Sequence, residues 1–157
     1  LLYYLAANPR RSFSNLPPET EAEKAALARF QQGVDVLINA GADTRAKTKL
    51  GKTTLMIAAE HGDASSVRRL LAENVPVDAD YVGRTALLYA TIYSYPETTN
   101  KIEVADVLLK KGANPNLLAR DFGGDCTTAL INAVKNDNPA LVKLLLNNKA
   151  DVNLVCR

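Results

Sequence analysis

The sequence predicts an all-α solenoid in which four repeats stack and β-hairpin fingers project between them. Three observations support this fold class. A motif close to Gly-x-Thr-x-Leu recurs along the chain, the segment after each copy ends in two bulky aliphatic residues, and a turn follows each pair. Because three separate pieces recur in one order with a period near 33 residues, the pattern is typical of stacked helical repeats.

The first piece predicts a short inner helix. Residues 51–59 (Gly-Lys-Thr-Thr-Leu-Met-Ile-Ala-Ala) match residues 83–91 and, less closely, residues 126–134, while a poorer copy at residues 1–7 has no hairpin before it. Thr53 is placed to cap the helix, since its hydroxyl can accept a backbone N–H of the first turn. Gly62 is expected to end this helix.

The second piece predicts a longer outer helix. The last members of the aliphatic pairs are Ile38, Leu71, Leu109 and Leu146. They lie 33, 38 and 37 residues apart. In the second copy Val67, Leu70 and Leu71 have the spacing that places them on one helical face. A single unit cannot bury that face, so stacking supplies the core. An extended hairpin is expected at residues 75–85.

This arrangement resembles the ankyrin repeat, whose pattern is Gly-x-Thr-Pro-Leu-His-x-Ala-Ala, then Val-x-x-Leu-Leu, then Gly-Ala-x-x-Asn. The resemblance covers almost the whole chain as one domain, with repeats at about residues 1–47, 48–79, 80–119 and 120–157. No copy has the Pro after the Thr, and none has the His. Worn motifs and long insertions favour a bacterial or otherwise divergent origin.

Insertions separate the inner from the outer helix in two repeats. The first repeat carries 19 extra residues, with a loop at residues 12–18 and a helical segment at residues 19–32. The third carries 6 extra residues in a loop at residues 93–100. Both should project from the same side of the array. A further 4 residues lengthen the hairpin at residues 121–125.

The fourth repeat is expected to end the array with a polar outer face. Asn132 stands where the other copies have apolar or aromatic residues, and Asn136, Lys143 and Asn147 add polar side chains on the two helices. A terminal repeat needs such a face to stay soluble. The alternative is an array that continues, because residues 155–157 resemble the start of another hairpin.

Composition and charge argue against several classes of function. No apolar run approaches the roughly 18 residues of a membrane span. The net charge of +2 is too small to indicate nucleic-acid binding. His61 is the only histidine and has no companion ligands for a metal site. No nucleophile arrangement can be assembled either. The sequence therefore predicts no enzyme, no catalytic residue, no metal site and no cofactor.

One segment matches a permissive phosphate-binding P-loop. It is residues 46–53, Ala-Lys-Thr-Lys-Leu-Gly-Lys-Thr. A P-loop uses glycines so that backbone N–H groups converge on the anion. Here one glycine is present, and the repeat pattern already accounts for Gly51 and Thr53. A nucleotide- or phosphate-binding protein is the alternative function.

The two cysteines, Cys126 and Cys156, fall in hairpin segments at opposite ends of the fourth repeat. Neighbouring hairpins lie roughly 10 Å apart by analogy with packed layers, and a disulfide needs Cα atoms within about 7 Å. A bond therefore requires a local bend, and two free thiols are the alternative. A bond would indicate a periplasmic or secreted protein. Without one, the cytoplasm is favoured.

The resemblance implies that hairpin tips and inner helices form a concave binding groove. Carried over position by position, the partner-binding residues are Lys47, Lys49, Leu50, Lys52, Glu60, His61, Tyr81, Val82, Arg84, Tyr93, Phe122 and Lys135. Aromatic residues and Arg are enriched among residues that dominate binding energy. We expect a protein partner with an acidic or mixed surface and a chain that is monomeric when unbound. The two scenarios are a bacterial protein that neutralises a toxin or effector and a regulatory subunit of a larger protein.

Overall fold

The computed structural model describes residues 32–92, 100–120 and 125–154. Helices dominate these residues, and after the first helix they come in pairs separated by hairpins. The helices are residues 32–39 (α1), Thr54–Glu60 (α2), Ala64–Ala72 (α3), Ala86–Thr91 (α4), Asn100–Lys110 (α5), Ala129–Lys135 (α6) and Pro139–Asn147 (α7). This order confirms the predicted all-α repeat solenoid.

The inner helices begin at threonines. The side chains of Thr53, Thr85 and Thr128 each accept the backbone N–H of the residue three positions on. That bond satisfies a donor that has no partner within the first turn of a helix. Asp63 and Asn138 cap the outer helices α3 and α7 in the same way. The predicted capping role of Thr53 is confirmed.

Left-handed residues end the helices and turn the chain. Those that follow the outer helices are Gly41, Asn74, Gly112 and Lys149, with φ between +54° and +88°. Gly62 follows α2 with φ +71°, and its N–H donates to the carbonyl of Ala59. This confirms that Gly62 ends the helix, since a left-handed residue one position past the cap is the commonest way to satisfy the last carbonyls.

The core lies between two layers of helices. The inner helices α2, α4 and α6 pack side by side, and the outer helices α3, α5 and α7 form the second layer. Val67, Leu70 and Leu71 are buried as predicted, and Leu108 and Leu145 are fully buried in the next outer helices. Each repeat therefore buries its apolar face against its neighbours, which is how a solenoid obtains a core.

Hydrogen bonds between turns join successive repeats. The Asp78 carboxylate accepts the backbone N–H of Asn114 at 3.1 Å. At the equivalent position one repeat later, Asn116 accepts the N–H of Asp151 at 2.7 Å and donates to the carbonyl of Lys149 at 3.0 Å. A short polar side chain at this place thus fixes the register of the stack.

The hairpins are short. Lys47 pairs with Thr53 and Tyr81 pairs with Arg84 in single antiparallel bridges. Strand β1, Ala119–Arg120, pairs with β2, Cys126–Thr127, in the only two-stranded sheet of the described residues. The hairpin expected at residues 75–85 is therefore extended only at its tip.

The expectation that Asn132 and Asn136 form a polar outer face is wrong. The Asn136 side-chain amide donates to the carbonyl of Thr91 at 2.8 Å. Asn132 donates to the Thr91 hydroxyl at 3.3 Å and accepts from the Thr127 hydroxyl at 2.7 Å. Thr91 is the last residue of α4, where helical carbonyls lack partners within the helix. Asn136 supplies such a partner to the Thr91 carbonyl, and the two asparagines together join the third and fourth repeats.

The outer face of the fourth repeat is partly apolar. Lys143 and Asn147 are exposed as expected, but Val134, Leu146 and Val152 are exposed beside them. Leu146 is 42% exposed, whereas the equivalent Leu71 is 7% exposed because the third repeat covers it.

Several predictions fall outside the described residues. They concern the loops at residues 12–18 and 93–99, the finger at residues 121–124 and the segment 155–157. Of the helix predicted at residues 19–32, only residue 32 is described, and it is helical. One boundary is corrected: Asn100, predicted to lie in a loop, already belongs to α5.

Candidate partner-binding surface

The first finger, residues 46–53, presents exposed side chains at its tip. Lys47, Lys49 and Leu50 are exposed, and Leu50 has 74% of its surface accessible. The Thr48 hydroxyl accepts the backbone N–H groups of Leu50 and Lys52, both at 3.1 Å. These bonds close the turn and hold the tip away from the helices.

Lys52 differs from the other lysines of this finger because the fold engages it. Its ammonium group pairs with the Glu60 carboxylate and lies 4.3 Å from the centroid of the Tyr89 ring. A cation over an aromatic face gains about 0.5–2 kcal/mol, depending on desolvation. Lys52 and Glu60 were both predicted to bind a partner protein. They do lie together, but they form an ion pair with each other.

Tyr89 is a neighbour of this site that was not predicted from the sequence. The residue belongs to α4 and is buried, so its ring forms a wall beside Lys52. The signal that could have found it is its position in the repeat motif, where it aligns with Ile57.

The second finger, residues 80–85, is a two-residue hairpin. Tyr81 and Arg84 exchange backbone hydrogen bonds at 2.9 and 3.0 Å. The central residues Val82 and Gly83 have φ of +53° and +74°, as in a type I′ turn. The Asp80 carboxylate accepts the Gly83 N–H at 3.0 Å and supports the turn. Val82 is exposed.

Successive fingers touch one another. A Cβ placed on Gly51 of the first finger would lie 3.4 Å from the Tyr81 ring of the second finger. A Cβ placed on Gly83 of the second finger would lie 3.6 Å from the carbonyl oxygen of Leu118, which directly precedes β1. Arg84 donates from Nε to the carbonyl of Arg120 at 3.0 Å. The fingers therefore form a row.

The remaining predicted residues lie at helix ends or outside the described residues. His61 is the half-buried cap at the end of α2, and Lys135 is the exposed last residue of α6. Tyr93 and Phe122 lie outside the described residues.

The positive charge that lacks an ion-pair partner among the described residues lies on two of the three lysines of the first finger. Within residues 32–92, 100–120 and 125–154, no ion pair involves Lys47 or Lys49. Exposed, uncompensated ammonium groups attract an oppositely charged surface and speed encounter with it.

The P-loop-like segment forms a turn of a different kind. The Gly51 N–H donates to the carbonyl of Thr48 at 2.9 Å, and the Thr48 N–H donates to the carbonyl of Lys52. The Thr53 hydroxyl caps α2. The backbone N–H groups of Thr48 and Gly51 are thus directed into the hairpin. A phosphate-binding loop needs such groups to converge on the anion.

The described residues contain neither a metal-binding cluster nor a membrane-spanning helix. No group of three or more His, Cys, Asp or Glu side chains there could hold a metal ion. None of the helices in that part of the chain has both the length and the apolar character needed to cross a bilayer.

Cys126 takes part in a disulfide. Cys156, the other cysteine of the sequence, lies outside the described residues. Pairing of these two residues, and the oxidising compartment that it would indicate, stay predictions.

Family models of ankyrin repeats match two overlapping parts of the sequence. A model of three ankyrin copies matches residues 24–119, and a model of many copies matches residues 97–146. The chain belongs to the ankyrin repeat family. Ankyrin repeats are generally protein–protein interaction modules, so binding a protein partner is the general function of this fold.

The ankyrin relatives come from animals and from a bacterium. The chain is 31% identical over 140 residues to the B-cell lymphoma 3 protein homolog of Mus musculus, covering 86% of this chain and 29% of that protein. It is 34% identical over 102 residues to an ankyrin repeat, SAM and basic leucine zipper domain-containing protein 1 of Carollia perspicillata, covering 61% and 19%.

One relative is bacterial, a putative ankyrin repeat-containing protein of Treponema pallidum. It is 29% identical over 118 residues, covering 75% of this chain and 37% of that protein. The chain thus spans well under half of each of these ankyrin relatives.

Proposed function

We propose that this chain is a non-catalytic module that binds another protein through its row of fingers and the adjoining ends of the inner helices. The observation that carries the proposal is the tip of the first finger. Lys47, Lys49 and Leu50 are exposed there, and among the described residues no ion pair involves either lysine. The ankyrin frame supplies the rigid support that such a surface needs.

The charge of the first finger indicates the kind of surface that the partner presents. Two uncompensated lysines at one tip favour a surface with carboxylates, and electrostatic complementarity of this kind raises the association rate and excludes wrong partners. Lys52 acts differently, because its pairing with Glu60 and Tyr89 makes it a support for the finger.

Two biological settings follow from this proposal. One is a bacterial protein that neutralises a toxin or effector, for which the Treponema pallidum relative gives a hint of origin only. The other is a regulatory subunit of a larger protein.

Nucleotide binding by residues 46–53 has less support. The backbone donors of that turn are used within the hairpin, and Lys52 is held by Glu60. A thermal-shift assay with ATP and magnesium tests this alternative, because a ligand that binds the folded state raises its stability. We expect no shift at millimolar ligand.

The proposal is tested by chemical cross-linking and affinity capture from the source organism, at low and at high salt. We expect a stoichiometric protein partner at low salt and much less at high salt, because exposed charges are screened. The double variant Lys47→Glu/Lys49→Glu should lose the partner at low salt while keeping its Tm.

A charge-matched control is Lys111→Glu/Lys143→Glu, which reverses two exposed lysines away from the fingers. This control should capture the partner as the wild type does. Equal loss in both variants would mean that net charge matters and the fingers do not. Capture unaffected by the finger variant would overturn the proposed site.

A further inference from the structure

Val82 has a backbone conformation that its side chain disfavours. Its φ is +53°, and a β-branched residue in the left-handed region is an outlier because both Cγ branches crowd the backbone. The other non-glycine residues with positive φ in the described ranges are Asn74, Asp137 and Lys149. Each of those directly follows the end of a helix, where the left-handed turn is usual.

The hairpin imposes this conformation on Val82. The reciprocal backbone bonds between Tyr81 and Arg84 and the bond from Gly83 to Asp80 define a two-residue turn. Such a turn needs positive φ at both central positions and prefers Asn followed by Gly. Asn at position 82 would therefore suit the fold better than Val.

Burial does not compensate for the strain at Val82. The side chain is 69% exposed, so it gains little from the hydrophobic effect in the free protein. Leu50, which also directly precedes the turn glycine of its finger, is 74% exposed. Two large aliphatic side chains thus stand at equivalent tips of adjacent fingers, and neither stabilises the free chain appreciably.

The surroundings of these tips indicate what would cover them. Lys47 and Lys49 precede Leu50 on the first finger, and no ion pair of the described residues neutralises them. Apolar tips beside uncompensated cations are complementary to an apolar recess bordered by carboxylates.

We propose that Val82 and Leu50 are apolar anchors that enter a hydrophobic recess on an acidic protein partner, and that Val82 is retained in a left-handed turn for that contact. This inference rests on the proposed function, since it names the anchors of the same surface. It goes further because it predicts that replacing Val82 makes the free chain more stable.

The test compares three single variants for Tm and for affinity toward the purified protein that the wild type captures. Val82→Asn should raise Tm by about 2–4 °C through relief of backbone strain. It should also weaken binding at least about tenfold, the affinity equivalent of exposing a buried aliphatic side chain.

Two controls separate strain from contact. Val82→Thr keeps the branched shape and its conformational penalty but replaces a methyl by a hydroxyl, so we expect weaker binding without the rise in Tm. Val36→Asn makes the same substitution as the test variant at a valine of α1 that is 66% exposed, and it should change neither quantity.

Val82→Asn with wild-type affinity would overturn the anchor while leaving the proposed function intact, provided that Lys47→Glu/Lys49→Glu still loses the partner. An unchanged or lower Tm in Val82→Asn would overturn the claim that the left-handed backbone at Val82 destabilises the free chain. Failure of the wild type to capture any stoichiometric partner would overturn both proposals together.

Discussion

At the scale of single residues, the ammonium group of Lys52 is held by two neighbours at once. It pairs with Glu60 at the end of α2 and lies over the ring of Tyr89 in α4. The finger is thereby tied to two inner helices from adjacent repeats. Lys47 and Lys49, only a few positions away, are exposed and form no ion pair or cation–π contact within the described residues.

Lys52→Glu should lower Tm by roughly 2–4 °C, equivalent to about 1 kcal/mol. The substitution removes the cation from the Tyr89 ring and places a second carboxylate beside Glu60. Lys52→Met removes both contacts without adding repulsion, so a smaller decrease is expected. Thermal unfolding followed by circular dichroism measures both. An unchanged Tm in Lys52→Glu would show that these contacts contribute nothing to stability.

Single residues also show how much of the candidate site could be predicted from the sequence. The exposure of Lys47, Lys49 and Leu50 follows from a hairpin tip in the repeat pattern, so these candidates could be named from sequence. The pairing of Lys52 could not, because Tyr89 comes from the next repeat and its side chain meets Lys52 only in the stack. The left-handed φ of Val82 was equally hidden, since nothing in a Val-Gly pair specifies the turn type.

At the scale of helices, local chemistry determines where each element begins and ends. The sequence predicts Thr53 and Gly62 as the cap and the end of α2, and both roles are confirmed. These signals act within a few residues, so the sequence contains them directly. Asn132 and Asn136 instead bond to Thr91 at the C-terminal end of α4, in the preceding repeat, which explains why their expected outward orientation is wrong.

Leu71→Ala should destabilise the chain by about 2–5 kcal/mol, because it opens a cavity between the second and third repeats. Leu146→Ala makes the same chemical change at the equivalent position of the fourth repeat, where the side chain is 42% exposed. We expect that variant to cost about 1 kcal/mol or less. Urea unfolding gives both values. Equal losses would mean that neighbouring repeats do not account for the burial of Leu71.

At the scale of the whole molecule, the stack converts a repeated sequence into one row of fingers. Helix caps, buried aliphatic faces and the side chains of Asp78 and Asn116 set the spacing of the repeats. The fingers then lie against each other through Gly51 and Gly83. The fold class and the surface proposed for binding could be predicted from the repeat, whereas the identity of the partner depends on side chains that vary from copy to copy.

The most direct test of the central claim is hydrogen–deuterium exchange on the free chain and on its complex with the captured partner. We predict slower amide exchange in the complex at residues 46–53 and 80–85, with little change in the outer helices α3 and α7. Protection confined to those outer helices, with unchanged exchange in both fingers, would contradict the claim that the fingers bind the partner.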